Sequence, residues 1–86
     1  MSRYKVIVSK SAGKELSKLP LEINNRIIPA IRKLSDNPRP KGSKKLKGSK
    51  STWRIRIGDY RVIYVIDDVV LVVDIRKVGH RKDIYD

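Results

Sequence analysis

The sequence contains no cysteine and a single histidine. The absence of cysteine excludes disulfides, thiolate nucleophiles and cysteine-ligated metals, and nothing points to an oxidising compartment, so we expect a cytoplasmic protein. The chain also has no metal-ligand spacing, no glycine-rich nucleotide loop and no defensible pair of catalytic carboxylates. We therefore expect neither a metal nor a small-molecule cofactor.

Acidic residues are scarce, with 9 Asp and Glu against 21 Lys and Arg, and the formal net charge is +12. Such a charge repels itself and predicts a polyanionic partner. Nucleic acid, an anionic membrane surface and an acidic protein all satisfy the charge alone. The N-terminal apolar stretch is short and is flanked by Arg3, Lys5 and Lys10, so it predicts neither a signal peptide nor a membrane span.

The length of 86 residues favours one domain, 1–86, and 40% hydrophobic residues suffice for a core. Tyr4 to Val8 is β-branched and predicts a first strand. Ser9 and Ser11 are candidate helix caps, and apolar spacing then predicts a helix over about residues 11–19 and a second over 23–34. Pro29 lies inside the second helix, where we expect a kink or an early break.

Residues 39–50 are rich in lysine and glycine, contain no acid, and are predicted to form a basic loop. From Thr52 the hydrophobic period changes to two, which predicts a strand to Ile57, a turn at Gly58-Asp59, and a strand from Tyr60 to Ile66. A last strand is expected from Val69 to Val78 after a turn at Asp67-Asp68. The expected fold is α+β, in the order β-α-α-β-β-β, with an antiparallel sheet packed on one face by a helical hairpin.

Two-residue turns fix the expected register of the strands. Arg56 then faces Arg61, and Arg61 faces Asp74. Like charges that oppose each other across strands are destabilising, so the arrangement needs Asp74 as a counter-ion or a bound phosphate. An ordinary Arg61–Asp74 pair on a solvated surface is the structural alternative. The face away from the expected core carries Arg54, Arg56, Arg61, Asp74 and Arg76, and the expected core face carries Trp53, Ile55, Ile57, Tyr60, Val62, Tyr64, Ile66, Val69, Leu71, Val73 and Ile75.

The C-terminal segment leaves the last predicted strand at Gly79 and adds His80, Arg81 and Tyr85, which we expect to point toward the basic face. An exposed surface role for His80 and a hydrophobic plug at Tyr85 are the alternatives.

Four segments resemble the RelE branch of the RelE/ParE toxin superfamily. They are Lys45 to Gly48, Trp53 to Arg56, Gly58 to Tyr64 and Val78 to Tyr85. The resemblance implies a RelE-like, microbial-ribonuclease-like fold and a toxin of a type II toxin-antitoxin system. It further implies an endoribonuclease that cleaves mRNA codons in the ribosomal A site with the RNA 2′-hydroxyl as nucleophile, so that no metal is required.

The resemblance also assigns site residues and partners. Arg61 would be the main phosphate clamp, and Tyr85 and Arg81 would serve as base and acid, with His80 as an alternative for either role. The full predicted catalytic set is Arg54, Arg56, Arg61, His80, Arg81 and Tyr85, and the predicted RNA-binding set is Lys44, Lys45, Lys47 and Lys50. The implied partners are the 70S ribosome, mRNA and a RelB-like antitoxin with an acidic, flexible segment.

Two other functions fit parts of the sequence. A ParE-like inhibitor of DNA gyrase would share the fold without needing Arg61, Arg81 and Tyr85. A non-catalytic basic module would bind nucleic acid through phosphates alone.

Overall fold

The structure, a computed structural model, describes residues 3–84. Its elements in chain order are β1 (Lys5–Val8), α1 (Lys10–Ser17), α2 (Leu21–Lys33), β2 (Lys44–Lys45), β3 (Thr52–Ile57), β4 (Tyr60–Asp67) and β5 (Val72–His80). The sheet order is β1-β5-β4-β3-β2, and β1 runs parallel to β5 while the other pairs are antiparallel. The α+β fold is confirmed. The sheet is mixed rather than antiparallel, and the predicted basic loop contains a short strand.

The two helices form the predicted hairpin and cover one face of the sheet. The Ser9 hydroxyl accepts the backbone N–H of Ala12 at 3.2 Å and caps α1, as the sequence predicts. Asn24 Nδ2 donates to the Leu16 carbonyl at 2.8 Å and ties α2 to α1. Over residues 3–84, neither helix is long and apolar enough to cross a membrane.

The early break expected at Pro29 is not found, because α2 continues through it to Lys33. The expected kink at Pro29 stays a prediction. Proline removes the N–H that would bond the Asn25 carbonyl. Both Asn25 and Pro29 lie on the exposed side of α2. Water can therefore reach the freed carbonyl, and Ile27 and Ile31 remain buried on the opposite side.

The β3–β4 hairpin has the predicted register. Ile57 pairs with Tyr60, Arg56 with Arg61, and Ile55 with Val62. Gly58 has a φ of 59°, a left-handed conformation that glycine adopts without a steric penalty. The two-residue turn therefore fixes which side chains share a face.

The predicted β4–β5 register is wrong because the turn is longer than two residues. Asp67 Oδ1 accepts the backbone N–H groups of Val69 and Val70 at 2.9 and 3.1 Å, and β5 begins only at Val72. Ile66 pairs with Val73 instead of Val69, which is 91% exposed in the turn and does not join the core.

A register irregularity between Ile63 and Tyr64 shifts the last strand again. Tyr64 pairs with Ile75 but Ile63 pairs with Lys77, so the alternation of β5 side chains reverses beyond this point. Arg61 consequently lies opposite Gly79, and not opposite Asp74 as predicted.

The main core lies between the helices and one face of the sheet. It contains Ala12, Ile27, Ile31, Leu34, Ile55, Val62, Tyr64, Ile66, Val73, Ile75 and Val78. The Tyr64 hydroxyl donates to the Pro38 carbonyl at 2.8 Å within this core. We call the opposite side of the sheet the open face, because the helices do not cover it.

Candidate functional site

Three arginines converge on the open face at the hairpin of β3 and β4. Arg54 and Arg56 alternate on β3, and Arg56 lies directly opposite Arg61 on β4. Arg54 is only 3% exposed, whereas Arg56 is exposed and Arg61 is half-buried. The predicted cluster therefore forms. Arg54 is its most buried member and Arg56 its most exposed one.

The predicted counter-ion does not face this cluster. Asp74 lies opposite Val65 and forms an ion pair with Arg76, with 3.0 Å between its Oδ2 and the arginine Nη1. The structural alternative of an Arg61–Asp74 pair is therefore wrong. The longer β4–β5 turn moves Asp74 along the sheet.

Arg81 is held at the turn between β3 and β4. Its backbone N–H donates to the Asp59 carbonyl at 2.7 Å, and its Nε lies 3.8 Å from Asp59 Oδ1. The side chain is 59% exposed. The structure thus brings Arg81 to the same end of the hairpin as Arg56 and Arg61.

The segment after Arg81 folds back over β5. Ile84 is buried without belonging to the main core, and its Cδ1 would lie 3.1 Å from a Cβ placed on Gly79. Ile84 therefore covers Gly79, which is the residue opposite Arg61. Tyr85, the predicted base, lies outside the described residues, and its role stays a prediction.

His80 does not face the arginines. It pairs with Tyr60, whose ring packs against the main core, and the two rings meet edge to face with 5.4 Å between their centroids. His80 Nδ1 accepts the Lys82 N–H at 3.1 Å. The prediction that His80 points toward the basic face is wrong, because the register irregularity in β5 reverses its side.

The lysines of β2 lie next to the arginine cluster, on the neighbouring strand of the sheet. Lys44 lies opposite Arg54, and Lys45 lies opposite Trp53. A cavity of about 250 Å³ is lined by Lys44, Lys45, Leu46, Lys47, Arg54 and Arg56. Three of the four predicted RNA-binding lysines therefore border the arginines, while Lys50 is exposed in the turn before β3 and does not line this cavity.

A network beside β2 was missed by the sequence reasoning. We call Tyr4, Arg39, Trp53 and Asp68 the Arg39 network. Arg39 donates to Asp68 through Nη1 and Nη2 at 3.2 and 2.7 Å, and the Tyr4 hydroxyl donates to Asp68 Oδ1 at 2.6 Å. The hydrogen bond from Arg39 holds the pKa of Asp68 below its usual value, and the hydrogen bond to Asp68 raises the pKa of Tyr4. No local sequence signal links residues so far apart in the chain.

The chemistry of this surface suits a phosphodiester. Guanidinium groups donate to phosphate oxygens in a bidentate, charge-assisted manner, and they remain charged at any physiological pH. Charge accumulates on phosphate oxygens during attack at phosphorus, so arginines fixed in advance stabilise the transition state more than the ground state.

The comparison with known families agrees with the fold and this surface. The family model described as the ParE toxin of type II toxin-antitoxin systems, parDE, matches residues 6–85. Together, the α+β fold, the arginines of the open face and this match define a toxin of the RelE/ParE superfamily.

The similar proteins show which branch of the superfamily the chain belongs to. Toxin RelE3 of Methanocaldococcus jannaschii is 37% identical over 87 residues, which cover 95% of this chain and 96% of that protein. Toxin RelG of Mycobacterium tuberculosis is 36% identical over 83 residues, with 95% of each chain covered. The chain belongs to the RelE family of type II toxins, which confirms the resemblance seen in the sequence.

A solved structure shows the same fold. A chain of the toxin-antitoxin complex RelBE2 from Mycobacterium tuberculosis superposes with a TM-score of 0.80 at 34% identity. The superposition covers 91% of this chain and 98% of that chain. That relative was crystallised as a complex of toxin and antitoxin.

Proposed function

We propose that this protein is an endoribonuclease that cleaves mRNA in the ribosomal A site and thereby inhibits translation. The observation that carries the proposal is the direct opposition of Arg56 and Arg61 on the open face. A phosphate bound between two opposed guanidinium groups accepts charge-assisted hydrogen bonds from both. The family assignment adds the expectation that the bound phosphate belongs to RNA.

The reaction assigns a role to each arginine. The RNA 2′-oxygen attacks the adjacent phosphorus, its proton passes to a base, and the 5′-oxygen leaves with a proton from an acid. Arg61 and Arg56 bind the non-bridging oxygens, and the buried Arg54 supports them from below. Arg81, at the hairpin turn, hydrogen-bonds the leaving 5′-oxygen and is the proposed acid that protonates it. Tyr85 is the proposed base, and the 2′-hydroxyl nucleophile restricts the substrate to RNA.

Arginine and tyrosine are weak acids and bases near neutral pH. An active site of this kind gains most when the substrate is already aligned for in-line attack, because alignment supplies a large share of the rate. We therefore propose that the 70S ribosome holds the mRNA in the reactive geometry. Free RNA should be cleaved poorly.

We also propose an antitoxin partner. The related chain that superposes on this one was solved with its antitoxin. A net charge of +12 on 86 residues attracts an acidic, flexible segment electrostatically. Such a segment bound on the open face would compete with RNA for the same arginines. Like the ribosome, this antitoxin would meet the protein in the cytoplasm.

The test compares cleavage of ribosome-bound mRNA by the wild type, Arg61→Ala, Arg81→Ala and the double variant. Loss of one preorganised donor should lower the cleavage rate by roughly 10². Arg76→Ala is the matched control, because Arg76 is an exposed arginine of β5 paired with Asp74, and its rate should stay within about twofold.

A double variant that cleaves as fast as the wild type would contradict the proposed site. Binding of RNA without cleavage by the wild type would favour the non-catalytic module. Inhibition of DNA gyrase supercoiling, assayed in parallel, would favour the ParE-like function.

A further inference from the structure

We propose that Arg39 and Asp68 are positioning residues that hold the lysines of β2 in place for RNA binding. This inference rests on the proposed function, because it concerns how the same surface binds its substrate. The two residues act through Trp53 and the chain that leads into β2, and neither lines the candidate RNA-binding cavity.

The ion pair holds the Arg39 guanidinium firmly. Two of its nitrogens donate to the two carboxylate oxygens of Asp68, and the Tyr4 hydroxyl donates to one of those oxygens from another direction. A two-point contact fixes orientation as well as distance. Three parts of the chain, next to β1, after α2 and after β4, are thereby joined at Asp68.

The same guanidinium also lies over the ring of Trp53 in β3. Its Cζ lies 5.2 Å from the centroid of the Trp53 ring, within the range of a cation–π contact. Trp53 is the residue of β3 that pairs with Lys45 of β2. Arg39 therefore contacts the part of the sheet against which β2 is laid.

The chain from Arg39 to β2 is short and turned. Only residues 40–43 separate them, and within this stretch the Ser43 N–H donates to the Pro40 carbonyl at 2.9 Å. A displacement of Arg39 is therefore passed directly to Lys44. At the far end of the segment, Ser49 and Thr52 hold the chain through hydroxyl hydrogen bonds, at 2.7 Å between the two side chains.

Strand β2 needs such an anchor because its own pairing is weak. It has two residues, and one of its two pairs sets Lys44 opposite Arg54. Strands of this length are shorter than most and are held by few hydrogen bonds of their own. In the free protein, the Arg39 network holds this strand in place, so that Lys44, Lys45 and Lys47 border the cavity before RNA arrives.

A substitution that changes the net charge distinguishes this proposal from RNA binding by net charge alone. Replacing Asp68 with Asn removes a negative charge, so a protein that binds RNA by net charge alone should bind more tightly. If Asp68 positions β2, the same substitution should weaken binding, because the two-point contact with Arg39 is lost. The two explanations therefore predict opposite signs.

The experiment measures binding of a single-stranded RNA oligonucleotide, and KM and kcat for ribosome-bound mRNA, with the wild type, Asp68→Asn and Asp36→Asn. Asp36 is an exposed aspartate in the turn after α2, so its replacement makes the matched change of charge. We expect Asp68→Asn to raise Kd and KM by about three- to fivefold with kcat within about twofold. Asp36→Asn should bind as tightly as the wild type or more tightly.

Arg39→Lys supplies a second variant that keeps the positive charge and loses the two-point contact. It should weaken binding as Asp68→Asn does, and the double variant should be no weaker than either single variant. Equal or tighter RNA binding by both Asp68→Asn and Arg39→Lys would overturn the inference. Absence of cleavage by the wild type would contradict the proposed function instead, and the oligonucleotide measurement would still test the positioning of β2.

Discussion

Gly79 lies directly opposite Arg61 in the β4–β5 ladder and has Ile84 packed over it. A Cβ at this position would lie 3.1 Å from Ile84 Cδ1 and 3.3 Å from Cγ1, closer than ordinary van der Waals contact. The missing side chain thus makes room for the C-terminal segment beside the main candidate phosphate clamp. It also allows that segment to carry Arg81 at the hairpin turn.

Gly79→Ala should displace Ile84 and shift the segment that holds Arg81. We expect a loss of about 1 kcal/mol in the free energy of unfolding, from overpacking, and roughly a tenfold or greater loss of cleavage, from misplacement of the site. Urea unfolding and the ribosome-bound mRNA assay check the two effects. Unchanged cleavage would show that the C-terminal segment does not position the site.

Gly13→Ala is the matched control for this change. Gly13 lies inside α1, and an added Cβ would be 3.9 Å from Val8, which is an ordinary contact. Alanine favours a helix over glycine, so this variant should gain roughly 0.5 to 1 kcal/mol in the free energy of unfolding and keep full cleavage activity.

Glu15 supports the last strand from α1. Its Oε1 accepts the backbone N–H of Val78 at 3.0 Å, and Val78 is buried. Glu15→Ala should leave this N–H without its acceptor and destabilise the protein by about 1 to 3 kcal/mol. Glu15→Gln retains an acceptor oxygen and should lose less than half as much in urea unfolding. Equal losses in the two variants would show that the carboxylate charge, and not the hydrogen bond, matters.

The raised pKa of Tyr64 predicts that the protein loses stability at alkaline pH. Burial raises the pKa of its hydroxyl to about 12, from about 10 in an unfolded chain. The folded state holds the Tyr64 proton more tightly than the unfolded state. The resulting contribution to the free energy of unfolding is complete below about pH 10 and is lost as pH rises toward about 12. It amounts to roughly 2 to 3 kcal/mol.

Tyr64→Phe should remove this dependence and, by losing the hydrogen bond to the Pro38 carbonyl, destabilise the protein at neutral pH by about 1 to 2 kcal/mol. Urea unfolding of both proteins at several alkaline pH values measures the difference. If the two curves stay parallel up to about pH 12, the pKa of Tyr64 is not raised.

The lowered pKa of Asp68 predicts that the protein also loses stability at acidic pH. Hydrogen bonds from Arg39 and Tyr4 lower its pKa. Its contribution to stability is therefore present above the unfolded pKa of about 3.9 and is lost as pH falls through the lower folded value. Thermal unfolding of Asp68→Asn should show a shallower acid dependence than the wild type.

The β3–β4 hairpin could be predicted in full because Gly58-Asp59 is a strong turn signal and hydrophobic alternation fixes the face of each strand. That hairpin carries Arg54, Arg56 and Arg61, so the centre of the site followed from the sequence. The burial of Arg54 did not, because it depends on tertiary contacts that the alternation of strand residues does not specify.

The last strand could not be predicted in register. Residues 69–73 are five consecutive aliphatic residues, and such a run contains no alternation that could fix where the strand begins. The turn is set by the carboxylate of Asp67, which bonds two backbone N–H groups after it. The later irregularity in β5 then reversed the side of His80, and no residue type signalled it.

The parallel pairing of β1 with β5 also decides when the fold can be completed. Lys5 pairs with Val72 and Val8 with Ile75, so β1 cannot complete its pairing until β5 has been synthesised. Pairings this distant in sequence form slowly, because the long intervening chain must be ordered before they contribute. A ribosome that makes this chain must therefore synthesise β5 before the sheet can close around β1.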